Sequence, residues 1–315
     1  MARNHGYSRS STCFRRSIYN SYALSDYACL VIFLAVYIGM LITLCIVRKR
    51  TGAGKRLIAL PYVLALFFKF IQQAINFVSY TLNACEINTG ADDYYKWNIA
   101  STIFHGLHTI LFLFAVIWTL NTMLRKQLGH NPSALRMGLV AILIVLGSLN
   151  IAYIVMYCYI SWMSIGYRYP RNFNFIAVLY IDIAFSSVYL ASTLASAALS
   201  LLAVRSLKTK RVAGNSLMLW VSVLYLSMFV YSLISLLQTA VAFSPLARFS
   251  YAGYAALYWI SSFFRALAFA SIIGIARDVA WRPNAFATAD APVEHDHDAY
   301  SYQQDPIYDG TGQRA

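Results

Sequence analysis

The chain has 315 residues, of which 59% are hydrophobic and only 12% carry a charge. A soluble domain has about twice that share of charged residues, so the composition excludes an ordinary soluble protein. The net charge of +13 comes from Lys and Arg in short clusters between apolar blocks, with no nucleic-acid recognition motif beside them. We therefore expect a chain embedded in the lipid bilayer, and no nucleic-acid partner.

Seven apolar blocks are long enough to cross a bilayer as helices, which takes about 20 residues each. They do not alternate between polar and apolar residues, as the strands of a membrane β-barrel would. The predicted fold is therefore an all-α, seven-helix transmembrane bundle occupying residues 27–282. In chain order the blocks are Ala28–Val47, Leu57–Tyr80, Ile99–Leu120, Met137–Trp162, Ile176–Val204, Leu217–Phe243 and Tyr254–Ala276.

The short connections between the blocks differ in charge. The first, third and fifth hold most of the Lys and Arg, and the most basic of them is Arg48–Arg56. Basic loops stay on the cytoplasmic side of a membrane, so we predict an external N-terminus and a cytoplasmic C-terminus. The basic N-terminal segment favours the inverted orientation, which would place Arg48–Arg56 outside.

Both ends of the chain lack the apolar residues that a folded domain requires. Residues 1–26, rich in Arg and Ser, are predicted to be disordered, although their composition also suits a mitochondrial transit peptide. Residues 283–315 are predicted to form a disordered, acidic and tyrosine-rich cytoplasmic tail. We expect the plasma membrane or an endomembrane rather than the mitochondrial inner membrane, and a cytoplasmic protein partner at the basic loops and tail.

A stripe of polar residues runs along the second span. Lys69, Gln72, Gln73 and Asn76 are spaced i, i+3, i+4 and i+7, which places them on one face of a helix. Polar and ionisable residues inside a membrane face the interior of the bundle and are candidates for function. The stripe therefore predicts either a hydrogen-bonded seam between helices or the wall of a ligand or ion cavity.

The third span carries His105 and His108 one helical turn apart. Two histidines at this spacing raise the hypothesis of a metal or haem, but no other span supplies a histidine as a further ligand. We therefore expect neither a metal nor a cofactor, and predict that the histidines are hydrogen-bonded in the pocket. Because histidine titrates near physiological pH, a proton sensor is the alternative.

Asp182 in the fifth span and Arg265 in the seventh are further ionisable residues inside the bundle. Because a buried charge without a partner is strongly penalised, we predict that Asp182 pairs with Lys69, Arg265 or both. One acid against two bases leaves a positive charge, which water, backbone carbonyls, a neutral lysine or an anionic ligand would meet. The sharper hypothesis is a pocket in the outer half of the membrane that accepts an anion.

Small residues repeat along the fifth span, where Ser192, Ser196 and Ser200 are four residues apart. Such residues let helices approach closely, so this stripe is interpreted as helix packing without a functional role.

On the predicted external side lie Cys29, Cys85 and Cys158, although not on the same span. A disulfide between two of these cysteines would suit an exported surface, and free thiols are the alternative.

Seven spans with an external N-terminus resemble the layout of G-protein-coupled receptors, in span count and orientation only. The third span ends NTMLRK at residues 121–126, without an acidic–Arg–aromatic triplet, and the seventh ends GIARDVAW at residues 274–281, without an Asn-Pro-x-x-Tyr pattern. Microbial rhodopsins also have seven spans, but the seventh span here has no lysine to carry retinal. The chain therefore shares the span count of these families but not their signature motifs.

The leading hypothesis is a receptor-like sensor with a polar pocket for a small ligand. A transporter or channel for a small solute or a proton is the alternative, and a non-catalytic membrane scaffold is the third. The chain has no metalloprotease, serine-hydrolase or phosphate-loop motif, so we expect no enzyme. The predicted ligand-binding residues are Lys69, Gln72, Gln73, Asn76, His105, His108, Asp182 and Arg265.

Overall fold

The regular structure is helical throughout the described part of a computed structural model, and seven helices are long and apolar enough to cross a membrane. The all-helical, seven-span prediction is therefore confirmed. The predicted disorder before residue 21 and over residues 283–315 lies outside the described residues. The structure describes residues 21–50, 53–85, 91–129, 132–165, 175–210, 215–243, 250–278 and 281.

The helices coincide with the seven apolar blocks, and most of them extend past the predicted ends. The first begins at Ser21, so residues 21–26 are helical. In chain order the helices are α1 (Ser21–Arg50), α2 (Leu60–Ala84), α3 (Ala91–Leu113, continuing through Phe114–Leu120 and Asn121–Gln127), α4 (Ser133–Ser164), α5 (Phe175–Thr209), α6 (Asn215–Phe243) and α7 (Tyr251–Ala276).

Two helix starts are explained by their local sequence. Pro61 lies in the first turn of α2, where its fixed φ suits a helix and its missing N–H costs no hydrogen bond. Ser250 caps α7, because its side-chain oxygen accepts a hydrogen bond from the backbone N–H of Gly253 at 3.2 Å. These signals fix where two of the helices that line the site begin.

The helices form a closed ring. Each packs against the next one in sequence, as short connections require, α7 also contacts α1, and α3 reaches across to α5. Trp259 Nε1 donates to Ser25 Oγ at 3.0 Å, where α7 and α1 begin, and we call this the N-terminal end of the bundle. At the opposite end Ser216 Oγ donates to Asp278 Oδ2 at 2.6 Å.

The half of the bundle near the opposite end has an apolar core built around α3. Leu113, Val116, Ile117 and Leu120 are each at most 1% exposed. They belong to one cluster with buried residues from the neighbouring helices, among them Leu207, Val221, Leu224 and Ile272. This core lies beneath the polar residues of the other half.

A π-helical segment, Phe114–Leu120, interrupts α3, where the sequence predicted an uninterrupted α-helix. Asn121 follows directly, and its side-chain Nδ2 donates to the backbone oxygens of Ile117 at 3.0 Å and Val116 at 3.4 Å. A side chain bonded into the backbone ladder is a known cause of local helix distortion. Hydropathy does not reveal the distortion because the segment itself is almost wholly apolar.

Gly54 lies in a 3-10 turn before α2 (Ala53–Arg56) and touches the end of α7. A Cβ atom at Gly54 would overlap the backbone carbonyl of Ala276, which cannot rotate away. We expect Gly54→Ala to lower the free energy of unfolding by about 1–3 kcal/mol, the usual cost of overpacking. Gly39→Ala is the control, because its Cβ would meet nothing within 4 Å. Equal unfolding temperatures for the two variants in detergent micelles would contradict this contact.

Candidate functional site

A cavity of about 470 Å³ lies among helices α2 to α7, and we call it the inner cavity. Seven of the eight predicted ligand-binding residues line this cavity, and the eighth, His108, lines a small adjoining void of about 20 Å³. The structure thus brings the eight residues together, while ligand binding by them stays a prediction. The predicted residues that line the inner cavity itself are Lys69, Gln72, Gln73, Asn76, His105, Asp182 and Arg265.

Gln72 is the centre of the hydrogen-bond network at the inner cavity. Its Oε1 accepts a hydrogen bond from Lys69 Nζ at 2.9 Å and lies 3.2 Å from His108 Nε2. Its Nε2 lies 3.2 Å from His105 Nδ1. One buried amide side chain therefore contacts three of the other predicted residues.

The donors and acceptors of this network follow from the lysine. An ammonium only donates, so Gln72 must turn its oxygen toward Lys69 and its NH₂ toward His105. His105 Nδ1 is then an acceptor, and His108 donates from Nε2 to the same amide oxygen. His108 Nδ1 is buried and has no hydrogen-bond partner within the described residues.

The two basic side chains are held by neutral groups. The Arg265 Cζ atom lies 4.0 Å from the centre of the Tyr231 ring, and Arg265 Nη1 lies 3.4 Å from His105 Nδ1. Lys69 Nζ lies 5.6 Å from the centre of the Tyr37 ring, in addition to its bond to Gln72. Cation–π contacts of this kind stabilise a buried charge without neutralising it.

The predicted ion pair of Asp182 with Lys69 or Arg265 was wrong. Asp182 Oδ2 instead accepts a hydrogen bond from Thr239 Oγ1 at 2.7 Å, and the one ion pair among the described residues joins Lys96 to Asp93 on the surface. Asp182 and Arg265 do not pair because they lie at different depths in the bundle. At 1.5 Å per residue, Asp182 lies about 10 Å along α5 from its first residue, whereas Arg265 lies about 21 Å along α7 from its own.

Further polar residues of the cavity wall were missed or given little weight at the sequence level. Asn150 is 2% exposed and donates from Nδ2 to the Gly106 carbonyl at 3.1 Å, which joins α4 to α3. Asn76 accepts a hydrogen bond from Ser101 Oγ at 2.7 Å. Asn150 is an isolated amide within an apolar span, and the rule that drew attention to Lys69 would have found it.

A second cavity of about 560 Å³ opens at the N-terminal end of the bundle, and we call it the vestibule. It shares Asn76, Gln238 and Tyr258 with the inner cavity, so the two spaces adjoin at these residues. Its wall also includes Asp26, near the start of α1, and Trp97, near the start of α3. A ligand that reaches the inner cavity from this end would pass through the vestibule.

The serine stripe of α5 does more than allow close packing. Ser196 and Ser200 each lie within hydrogen-bond distance of the Tyr225 hydroxyl, at 2.8 and 2.7 Å. Asn121 donates to Ser196 at 2.8 Å and accepts from Ser200 at 2.9 Å. Ser196 and Ser200 therefore hold α5 to α3 and α6 through a buried hydrogen-bond network, in addition to the close packing that the sequence predicted.

Cys29 and Cys158 are free thiols, so the hypothesis of a disulfide between two of the three cysteines Cys29, Cys85 and Cys158 was wrong. Cys85, which follows α2 at the N-terminal end of the bundle, is disulfide-bonded. Its partner is none of the free cysteines Cys29, Cys45 and Cys158. Of the three cysteines that we predicted to lie outside, only Cys85 is therefore oxidised.

Across the described ranges, no group of three or more His, Cys, Asp or Glu is placed to hold a metal ion. The two histidines are engaged with Gln72 and Arg265 instead. No protein-family model, curated protein or solved structure matches the chain. The case for a function therefore depends on the geometry and charge of the two cavities.

Proposed function

We propose that this multi-pass membrane protein is a receptor-like sensor whose inner cavity binds a small anionic ligand. The observation that carries the proposal is the charge of the cavity floor. Lys69 and Arg265 both line it, and neither forms an ion pair within the described residues. The acid of the same cavity wall, Asp182, accepts a hydrogen bond from Thr239 and pairs with neither base, so the two bases exceed the acids by one. A carboxylate or similar anion placed between them would supply the missing counter-charge.

The size and wall of the inner cavity support a small organic ligand. Ligand sites are typically clefts of about 300–1,000 Å³ with apolar walls and a few convergent polar groups, and the inner cavity has about 470 Å³. Leu179, Phe185, Tyr189 and Tyr231 give it apolar surface beside the basic groups. The ligand we propose is therefore an organic acid with an apolar body.

The apolar core of the half opposite the N-terminal end favours a receptor over a channel. Beneath the cavity lie Leu113, Val116, Ile117 and Leu120, all nearly inaccessible to solvent. A channel needs a polar path to both faces of the membrane, whereas a receptor needs access from one. The ligand would enter at the N-terminal end and act on the opposite end through the helices, where the basic loops and tail would contact a cytoplasmic protein.

The proposed orientation places the N-terminal end outside. Two observations support it: the most basic connection, at residues 48–56, joins α1 to α2 at the opposite end, and Cys85 at the N-terminal end is oxidised. A reporter fused after residue 315 should respond as a cytoplasmic one. An external response would invert the orientation and place the ligand-accessible mouth inside the cell.

The binding proposal is tested by calorimetric titration of the protein in nanodiscs, with empty nanodiscs as the blank. The probes are octanoate and octanamide, which share a chain and differ in charge. We expect octanoate to bind at least about tenfold more tightly, because charge-assisted hydrogen bonds contribute about 1.5–3 kcal/mol. Equal affinities, or no binding of octanoate, would overturn an anion-binding cavity.

A transporter for a small solute or a proton is the second candidate, because polar groups continue beneath the inner cavity. The void at His108 is also lined by Met228, one helical turn from Tyr225. Tyr225 belongs to the network with Ser196 and Ser200. Flux into proteoliposomes that Lys69→Met abolishes would establish this function in place of a receptor.

A scaffold without a ligand is the third hypothesis. It predicts that substitutions at Lys69 and Asp182 change the stability of the bundle and nothing else. Melting temperatures recorded beside the octanoate titrations separate it from the receptor hypothesis, because a scaffold gives the same titration with every variant that folds.

A further inference from the structure

The vestibule has the opposite charge to the inner cavity. Asp26 lines it, and no Lys, Arg or His does so within the described residues. Asp26 forms no ion pair with any residue that the structure describes. A cationic group would therefore be favoured in the vestibule, whereas the floor of the inner cavity favours an anion.

Aromatic rings also line the vestibule. A positive group over the face of a tyrosine or tryptophan is attracted by about 0.5–2 kcal/mol, and cages of such rings recognise ammonium ligands. Belts of Tyr and Trp are also common where helices leave the membrane, so the rings alone would not define a site. The six rings that share the vestibule wall with Asp26 are Tyr80, Tyr94, Trp97, Tyr251, Tyr254 and Tyr258.

The start of α1 is fixed on two sides, which gives Asp26 a defined position. Trp259 Nε1 of α7 donates to Ser25 Oγ at 3.0 Å. The Tyr27 ring stacks on Phe77 of α2 with 5.6 Å between the ring centres. Asp26 lies between these two anchored residues, so the flanking contacts hold its backbone at the vestibule wall.

The separation of Asp26 and Lys69 along the bundle follows from one contact between α1 and α2. Gln73 Nε2 donates to the Leu30 carbonyl at 3.4 Å, so these two residues lie at the same level of α2 and α1. Asp26 is one turn nearer the N-terminal end than Leu30, and Lys69 is one turn deeper than Gln73. The backbone positions of Asp26 and Lys69 are therefore about 12 Å apart along the helix axes at 1.5 Å per residue.

We infer that the vestibule is a second subsite, and that the ligand is an elongated zwitterion. Its anionic end contacts Lys69 and Arg265, and its cationic end lies beside Asp26 among the aromatic rings. This inference depends on the proposed anion-binding function and adds the class of ligand. A short zwitterion cannot satisfy both subsites, because its charges are too close together to span the separation of Asp26 and Lys69.

The test adds ω-aminooctanoate and γ-aminobutyrate to the calorimetric titrations with octanoate. We expect ω-aminooctanoate to bind about tenfold more tightly than octanoate, and γ-aminobutyrate more weakly than both. Asp26→Asn should remove the advantage of ω-aminooctanoate and leave octanoate binding unchanged or slightly stronger. Asp93→Asn is the matched control, since Asp93 is an acid near the same end that does not line the vestibule.

The outcomes separate this inference from the proposed function. If octanoate binds better than octanamide but ω-aminooctanoate binds no better than octanoate, the anion cavity stands and the second subsite is refuted. The subsite is also refuted if Asp26→Asn and Asp93→Asn have equal effects on ω-aminooctanoate. If none of the carboxylates binds, the function and the subsite fail together.

Discussion

Replacing Gln72 by leucine is expected to lower the free energy of unfolding by about 3 kcal/mol or more. The amide of Gln72 contacts Lys69, His105 and His108, and a buried polar group left without a partner costs about 1–3 kcal/mol. Leucine fills a similar volume, so the loss would come from unpaired polar groups rather than from an empty space. Unfolding in mixed detergent micelles measures the change.

Gln73→Leu is the matched control for this prediction. Gln73 is the next residue of the same helix and is as buried as Gln72, at 4% against 7% exposure. Its Nε2 makes a long hydrogen bond of 3.4 Å to the Leu30 carbonyl. We expect Gln73→Leu to lower the free energy of unfolding much less than Gln72→Leu does. Equal losses would show that Gln72 is not the centre of the network.

Replacing Arg265 by glutamine is expected to weaken octanoate binding about thirtyfold. Removing a hydrogen-bonding cation from an anion site costs about 2 kcal/mol. Octanamide, which has no charge to lose, should bind the variant and the unchanged protein nearly equally. The two ligands together thus separate a lost charge contact from a collapsed cavity, which would weaken both.

Arg136→Gln controls for the loss of an arginine elsewhere. Arg136 also lies over an aromatic ring, 5.8 Å from the centre of Trp118, but it does not line the inner cavity. Its replacement should leave octanoate affinity unchanged within about twofold. If Arg265→Gln and Arg136→Gln gave the same affinity, the guanidinium of Arg265 would have no place in the binding site.

The sequence was sufficient to predict the seven-helix fold. In a bilayer the backbone must satisfy its own hydrogen bonds, so a long apolar block has few alternatives to a helix. Helix starts were less predictable, and α1 begins at Ser21 although its apolar block starts at Ala28. Polar residues near a membrane surface can extend a helix without changing the hydropathy on which the prediction depends.

The periodicity of α2 also predicted which polar residues would meet. The spacing of Lys69, Gln72, Gln73 and Asn76 fixes one face of one helix, and the cost of burial turns that face inward. The sequence could not predict the partner of each side chain. Asp182 bonds to Thr239 rather than to a base, because pairing depends on the relative depth of separate helices.

Features that depend on neighbouring helices could not be predicted from one span at a time. The network of Asn121, Ser196 and Tyr225 joins three helices, and each residue alone has the pattern of an ordinary core position. The π-helical segment before Asn121 likewise follows from a side-chain contact. The vestibule around Asp26 was missed because its residues come from the ends of several helices.

A structure determined with octanoate bound is the most direct measurement of the central claim, that an anion occupies the inner cavity between two buried cations. We predict that the carboxylate lies within hydrogen-bond distance of both Lys69 Nζ and the Arg265 guanidinium, with the chain extending toward the vestibule. A carboxylate bound elsewhere, or basic side chains already paired with acids of the protein, would contradict this account.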